Sequence, residues 1–269
     1  MSEELHKSEA AFHDEWARAA SARTLDYRAA FECITAQENR FIVELLGDLT
    51  GRAVLDVGTG LGESAIYFAQ RGAEVTAVDI SPGMIELLQQ NAAQAGVRIT
   101  GRVVPAEELD VPEASFDVVY CANIIHHVQD RARFYAGVRR ALKPGGTFVA
   151  WDPLSGNPAI AVYRILATKV RTDDETPLTF AEFDLSRKYF PDLQHREFWL
   201  STLLLFFKYF LWDRLDPNKT RYWKKILEET DASIGWWFRP LAALDRALLA
   251  LPLVRRLAWN SVQWGTRPT

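Results

Sequence analysis

The run VLDVGTGLGES, Val54 to Ser64, restricts the fold of this chain more than any other stretch. An apolar segment of strand composition ends in glycines at alternate positions, Gly58, Gly60 and Gly62, and a helical pattern, LGESAIYFAQ, follows at once. A buried strand turning through glycines into a helix is the opening unit of a nucleotide-binding βαβ fold. The pattern then repeats. AEVTAVDI reads as a second strand, and SPGMIELLQQNAAQAG as a helix with Ser81 as N-cap, Pro82 at the first helical position and Gly96 past the end. Further strands are expected near RITGRVV, FDVVYCAN and TFVAWD, with a helix over 130–142 and a KPGG turn before the fifth strand. Such alternation implies an α/β protein: a parallel sheet wound by right-handed crossovers and covered on both faces. Ligands of these sheets bind at the carboxyl ends of the strands, where the glycines lie.

The flanks divide the chain into three regions. Residues 1–48 read as helical, with Phe12, Trp16 and Ala19 and later Phe41, Leu45 and Leu46 at helical spacing, and residues 49–153 hold the repeating core. Residues 154–269 offer a helix from 158 to 170, the charged loop RTDDETPL, a short helix leading into RKYFPDL, and two more strands at HREFWLS and AWNSVQWGT. Between those strands lies an apolar insertion containing TLLLFFKYFLW and LAALDRALLALPLV. Seven of the nine tryptophans fall between Trp199 and Trp264, interleaved with Lys208, Arg214, Lys219, Arg221, Lys224 and Lys225. That composition suits a surface meeting anionic lipid, and it equally suits a helical cap on the sheet or a homodimer interface. The apolar run over 198–212 contains Lys208 and is shorter than the roughly 20 residues a spanning helix needs, so no membrane span is expected.

Charge argues against one partner class. Residues 1–154 carry 14 Lys and Arg against 22 Asp and Glu, and residues 155–269 carry 17 against 13 without a dense basic run, so nucleic acid is not expected. Cys33 and Cys121 alone give neither a disulfide framework nor a metal-ligand spacing. The polar start MSEELHKSEAAFHDEW lacks the order of a secretory signal, which makes the cytoplasm the expected compartment.

The nucleotide is constrained by what the glycines omit. A dinucleotide fingerprint needs a glycine where Glu63 stands, and Gly62 comes one place early. Alternating glycines let the backbone pass close under a ligand, which suits an amino-acid-bearing nucleoside better than a pyrophosphate. Asp56, at the end of the first strand, could accept from an ammonium group, and Asp79, ending the second, could accept from both hydroxyls of a ribose.

DVGTGLGES, AVDIS, PAEELDVPEASFDVVYCANIIHHV and LKPGGTFVAWD together resemble, in order and spacing, the motifs of class I S-adenosylmethionine-dependent methyltransferases. The resemblance covers about residues 50–153 and implies a Rossmann-like, seven-stranded fold with S-adenosyl-L-methionine as cofactor. It implies that Asp56, Gly58, Thr59, Gly60 and Gly62 hold the methionine part, that Asp79 holds the ribose, and that Ile80 and Met84 flank the adenine. Ala106 and Glu107 would edge the adenine, Cys121 and Asn123 would lie under the methionine end, and the N-terminal helices would form a lid. Pro105 stands where many relatives carry Asp.

Catalytic and acceptor residues are read from position. His126 and His127 follow the fourth strand at the pocket edge, where one could act as general base or orient the acceptor; the alternative is a cap and a packing contact. Tyr163, Arg164 and Arg171, after the fifth strand, are candidates for acceptor contact. The expected reaction is methyl transfer to O, N or C of a small, apolar or lipid-like molecule, driven by alignment and desolvation with no metal. The rivals are a non-catalytic cofactor-binding protein, another chemistry of the same cofactor such as cyclisation, and a nicotinamide oxidoreductase, which Glu63 opposes.

Overall fold

A computed structural model describes residues 14, 26–167 and 175–269. Seven strands, β1 (Ala53–Val57), β2 (Glu74–Asp79), β3 (Ile99–Val103), β4 (Phe116–Ala122), β5 (Leu142–Pro153), β6 (Gln194–Phe198) and β7 (Asn260–Thr266), form one sheet in the order β3-β2-β1-β4-β5-β7-β6. The first five pair in parallel; β7 is antiparallel to both β5 and β6. The sheet is therefore mixed, its parallel part ending at β5, because the chain returns from the insertion to enter β7 from the opposite end. Strand order reverses direction between β1 and β4, the crevice where ligands of doubly wound sheets bind.

The helices in chain order are α1 (Ala29–Glu32), α2 (Gln37–Leu46), α3 (Glu63–Gln70), α4 (Pro82–Gln94), α5 (Arg131–Ala141), α6 (Pro158–Leu166), α7 (Phe180–Arg187), α8 (Leu204–Phe207), α9 (Tyr222–Lys225) and α10 (Asp231–Leu248). Ser81 caps α4 by accepting from Met84 N at 3.0 Å, as its sequence implies, and Asp130 caps α5 in the same way. The KPGG segment is absorbed into β5, whose Leu142 already pairs with Phe116, and Gly145 makes the bend with φ of 76°. The helix expected over 158–170 ends at Leu166, where Ala167 leaves helical geometry, and the expected helix around Phe12 and Trp16 lies outside the described residues.

Side-chain alternation along the strands builds two cores. Val54, Val118 and Tyr120 face one layer with α2, α3, α4 and the insertion, while Leu55, Val119 and Cys121 face the other with α5 and α7. The insertion contributes Leu203, Leu205, Phe206, Tyr209, Tyr222, Ile226, Ile234 and Phe238 to the first of these cores. Much of it is thus a cap on the sheet. Among the described residues no helix is long and apolar enough to cross a membrane.

Candidate active site

A cavity of about 360 Å³ opens at the carboxyl ends of β1, β2, β4 and β5. Its floor is the glycine loop. Gly60 has φ of 54°, and a Cβ there would meet nothing within 4 Å, so the backbone is open to a ligand. Gly62 is required for another reason: at φ of 89° a Cβ would lie 2.3 Å from Leu88 Cδ1, so this glycine lets α4 pack against the loop. Gly58, Thr59 and Gly60 line the cavity and Gly62 does not.

The two strand-end aspartates differ in what they do. Asp79 lines the cavity, and its carboxylate accepts from Gly60 N at 2.9 Å and Ser81 N at 3.0 Å, which fixes its orientation. Asp56 is buried beneath the loop, accepting from the hydroxyls of Thr59 and Ser64, both at 2.6 Å. Burial pushes its pKa up to about 6 against the opposing pull of those two hydroxyls. Ile80, Ala106, Glu107 and Asn123 line the cavity as expected. Glu107 also accepts from Gln129 N at 2.9 Å, which ties its loop to the start of α5. Met84 packs with Leu87 and Leu61, and Cys121 faces the α5 side, so neither reaches the cavity wall. For Cys121 the cause is strand parity: its neighbours Tyr120 and Ala122 take the cavity face. For Met84 it is the first turn of α4, which directs the side chain inward.

The histidines occupy one 3₁₀ turn, Ile125–His127, with their ring centroids 4.2 Å apart. His126 is the buried member. Its Nδ1 lies 2.8 Å from Asp152 Oδ1, and its main-chain N–H donates to the same oxygen at 3.1 Å. Burial, with the charge of His127 next, holds the His126 pKa well below the usual imidazole range; burial likewise pushes Asp152 up to about 7. With both donors aimed at Asp152 Oδ1, the carboxylate fixes Nδ1 as the protonated nitrogen. Nε2 is left with its lone pair on a ring that lines the cavity. Asp152 was not foreseen from sequence, although it closes the apolar run FVAWD at the same sheet edge as the glycines.

The outer wall is aromatic and comes from distant segments. Phe31 from α1, Trp151 from β5, Tyr163 from α6, and Trp199, Trp223 and Trp259 from the C-terminal region all line the cavity. Tyr120 OH donates to Asn39 Oδ1 at 2.7 Å and accepts from Trp151 Nε1 at 3.2 Å, which locks α2 onto the sheet over the pocket. Asn123 with φ of 55° and Trp199 with φ of 65° hold left-handed backbone at this wall, strain of the kind that clusters at functional sites. Arg164 lines the cavity and pairs with Glu175 at 3.3 Å; Arg171 lies outside the described residues. His126, His127 and Glu175 offer ligand atoms within 4.8 Å of one another, a grouping absent from the sequence expectation. Lys224 of α9 reaches Glu63 at 3.0 Å, joining the insertion to the first turn of α3.

Residues 55–150 match the family model described as a methyltransferase domain. Among curated proteins, the chain is 37% identical over 130 residues to a ubiquinone biosynthesis O-methyltransferase of Alkalilimnicola ehrlichii, covering 48% of this chain and 52% of that protein. It is 33% identical over 168 residues to the protein of the same name from Pseudomonas fluorescens, covering 62% of this chain and 68% of that protein. The chain thus spans about half to two thirds of the length of the curated relatives it matches. Phosphoethanolamine N-methyltransferase 2 of Haemonchus contortus, solved with S-adenosyl-L-methionine, has a TM-score of 0.59 at 19% identity, covering 87% of this chain and 53% of that one, a likeness of fold. The chain belongs to the class I S-adenosylmethionine-dependent methyltransferases. Its residues fit that family's cofactor: an unobstructed glycine backbone at Gly60 and a fixed acceptor carboxylate at Asp79 share one cavity.

Proposed function

We propose that this methyltransferase transfers a methyl group to a hydroxyl of a small aromatic acceptor with an apolar tail. The observation that carries the reading is the His126–Asp152 dyad set into an aromatic-walled cavity beside the glycine loop. The printed names of the curated relatives, O-methyltransferases of ubiquinone biosynthesis, support oxygen as the atom methylated. Under this reading Asp79 accepts from the ribose hydroxyls, Ile80 and Ala106 flank the adenine, and the backbone from Gly58 to Gly60 passes under the methionine part. Asp56 acts from beneath, through its charge and through Thr59. When bound, S-adenosyl-L-methionine supplies an electrophilic methyl group.

The chain's own part in the reaction is alignment, dryness and one proton. The aromatic walls hold the acceptor ring flat and exclude water, which strengthens the polar contacts inside. His126 Nε2 is placed to take the acceptor's hydroxyl proton, and Asp152 would stabilise the resulting imidazolium through Nδ1–H. Asp14 accepts from Gly83 N at 2.9 Å and from the Ser81 hydroxyl, at the start of α4 beside Ile80. That contact supports a lid formed by residues 1–48. The apolar insertion serves as acceptor cap and as a peripheral contact with anionic membrane.

An acceptor screen tests the reading. Phenols and catechols with alkyl tails should yield S-adenosylhomocysteine, and His126→Ala should lower kcat by about 10²-fold or more while leaving cofactor affinity intact. Equal turnover by parent and variant overturns the base assignment. A second reading, in which a divalent cation on His126, His127 and Glu175 activates the hydroxyl, rests on the closeness of those three side chains. Turnover abolished by chelator and restored by one added divalent cation would establish it.

A further inference from the structure

Several polar side chains on the α2 side of the candidate active site are satisfied within the protein. Tyr120 OH bridges Asn39 and Trp151, and the Thr35 hydroxyl donates to Ile226 O at 2.5 Å. Trp199 Nε1 and Asn260 Oδ1 differ. Both are buried atoms with no hydrogen-bond partner among the described residues, and both residues line the cavity.

Their places follow from the sheet. Asn260 opens β7, where it pairs with Pro153 of β5 on one side and Phe198 of β6 on the other. Trp199 follows β6 directly in left-handed backbone, and its carbonyl accepts from Trp259 N at 2.9 Å. Its fully buried ring meets Phe238 and Trp259 edge-on, each at 5.6 Å between centroids, which wedges the indole in one orientation.

Glu38 of α2 joins the two. It accepts from Asn260 Nδ2 at 2.6 Å, which fixes the amide with Oδ1 turned away from the carboxylate. Burial raises the Glu38 pKa, while Asn260, the main-chain N–H of Glu38 and the nearby indole of Trp199 pull it down. An orphan donor and an orphan acceptor therefore stand beside one buried glutamate. Each costs free energy while it lacks a partner, so a ligand that pairs both is favoured. An ammonium group would satisfy Asn260 Oδ1 and leave the indole N–H without an acceptor; a carboxylate would satisfy the indole and confront Oδ1 and Glu38. A hydroxyl serves both, accepting from Trp199 Nε1 and donating to Asn260 Oδ1.

We propose that Trp199, Asn260 and Glu38 form a specificity subsite that reads a second, non-reacting hydroxyl of the acceptor. Trp199 donates, Asn260 accepts, and Glu38 is a positioning residue that holds the amide. The inference rests on the proposed aromatic acceptor in this cavity. Asn260 lies two residues before Val262 and so on the α2 face of the sheet, whereas Asp152, which holds His126, lies two residues after Ala150 on the other face. The subsite and the proton acceptor thus engage different groups of one molecule.

The test compares 4-hexylphenol with hexyl-substituted catechol, resorcinol and hydroquinone on the full chain. Calorimetry on protein saturated with S-adenosylhomocysteine reads binding, and formation of S-adenosylhomocysteine from S-adenosyl-L-methionine reads turnover. At least one dihydroxy isomer should bind about tenfold or more tightly than the phenol and show that gain in KM, with kcat little changed. Trp199→Phe and Asn260→Ala should each reduce the preference to about threefold or less. Because the preference is a ratio within one variant, partial loss of folded protein cancels. Glu38→Ala should lose it as well, and Glu38→Gln, which still accepts from Asn260 Nδ2, should retain it. Tighter binding of a dihydroxy isomer that is lost in the variants, with no isomer turned over, keeps the subsite and rejects O-methylation. Turnover of the phenol and of every dihydroxy isomer at equal kcat/KM keeps O-methylation and overturns the subsite. A preference unchanged in Trp199→Phe and Asn260→Ala, a preference carried by kcat alone, or absence of binding by all four compounds overturns it too.

Discussion

At the scale of residues, burial sets the chemistry of two carboxylates. Asp152 has its folded pKa raised to about 7 by desolvation, so it stabilises the fold fully below its unfolded value near 4. That contribution is lost as pH rises through about 7, a change of up to about 4 kcal/mol. Asp152→Asn cannot ionise. Its stability relative to the parent should therefore rise between pH 4 and pH 8, read as urea midpoints, while kcat falls because Nδ1 of His126 loses its anionic partner. Asp56, raised to about 6 by the same cause, serves a cationic ligand only when ionised. Under the proposed assignment, cofactor affinity should fall toward tenfold per pH unit below about pH 6, and Asp56→Asn should bind weakly and lose that dependence; calorimetry at pH 7.5 and pH 5 measures both. Asp56 and Asp79 were legible in the sequence because a carboxylate closing an apolar run beside glycines has few structural uses. Asp152 carries the same signal at the end of FVAWD, but without glycines beside it to mark a ligand. Cys121 and Met84 illustrate the limit of motif position, which locates a residue in the chain and leaves side-chain direction to strand parity and helical phase.

At the scale of elements, the glycine loop was legible as a unit, but the separate duties of its glycines were not. Only packing shows that Gly62 accommodates Leu88 of α4 and that Gly60 faces open space. The consequences of substitution should therefore divide. Gly62→Ala forces a Cβ into the fully buried Leu88 at a left-handed backbone position and should cost about 2–4 kcal/mol, seen as a lower unfolding midpoint. Gly60→Ala meets no protein atom; it should lose no more than about 1–2 kcal/mol of stability and instead weaken cofactor binding, because the new methyl group stands where the ligand passes. Equal loss of stability in both variants would refute the division. The helices α3 and α4 were readable from capping and periodicity, with Ser81 and Pro82 marking the start of α4. The insertion was not. Its short helices, α8 running directly into a π-helical turn at Lys208–Trp212, follow no single period, since their apolar side chains alternate between the sheet core and the surface.

At the scale of the whole molecule, the sequence fixes a sheet with layers on both faces, whereas the closing of the pocket depends on contacts between residues far apart in the chain, such as Asn260 Nδ2 to Glu38 Oε1 at 2.6 Å. Aromatic and leucine content signalled a surplus of apolar side chains in the insertion, and the structure divides that surplus. Tyr209, Tyr222 and Phe238 join the core, while Leu204, Phe207, Phe210, Leu211 and Trp212 stay at the surface, Trp212 being 85% exposed. Leu204, Phe207 and Leu211 are all exposed, with Lys208 between them in the chain and Arg214 and Lys219 close by. Val162, Ile165 and Leu166 are exposed on α6, which packs against the same segment through Tyr163 and Phe206. Exposed aromatics flanked by cations favour insertion at headgroup depth, with the ammonium groups meeting anionic lipid. The proposed membrane contact therefore predicts flotation with phosphatidylglycerol vesicles that weakens as salt rises, together with a blue shift in tryptophan fluorescence. The pair Phe207→Ser with Leu211→Ser should abolish flotation and leave the unfolding midpoint within a few degrees of the parent, because both side chains are at least half exposed. Flotation unchanged in this variant, or absent from the parent at low salt, would leave the insertion as a cap on the sheet and remove the membrane from the account of how an apolar acceptor reaches the cavity.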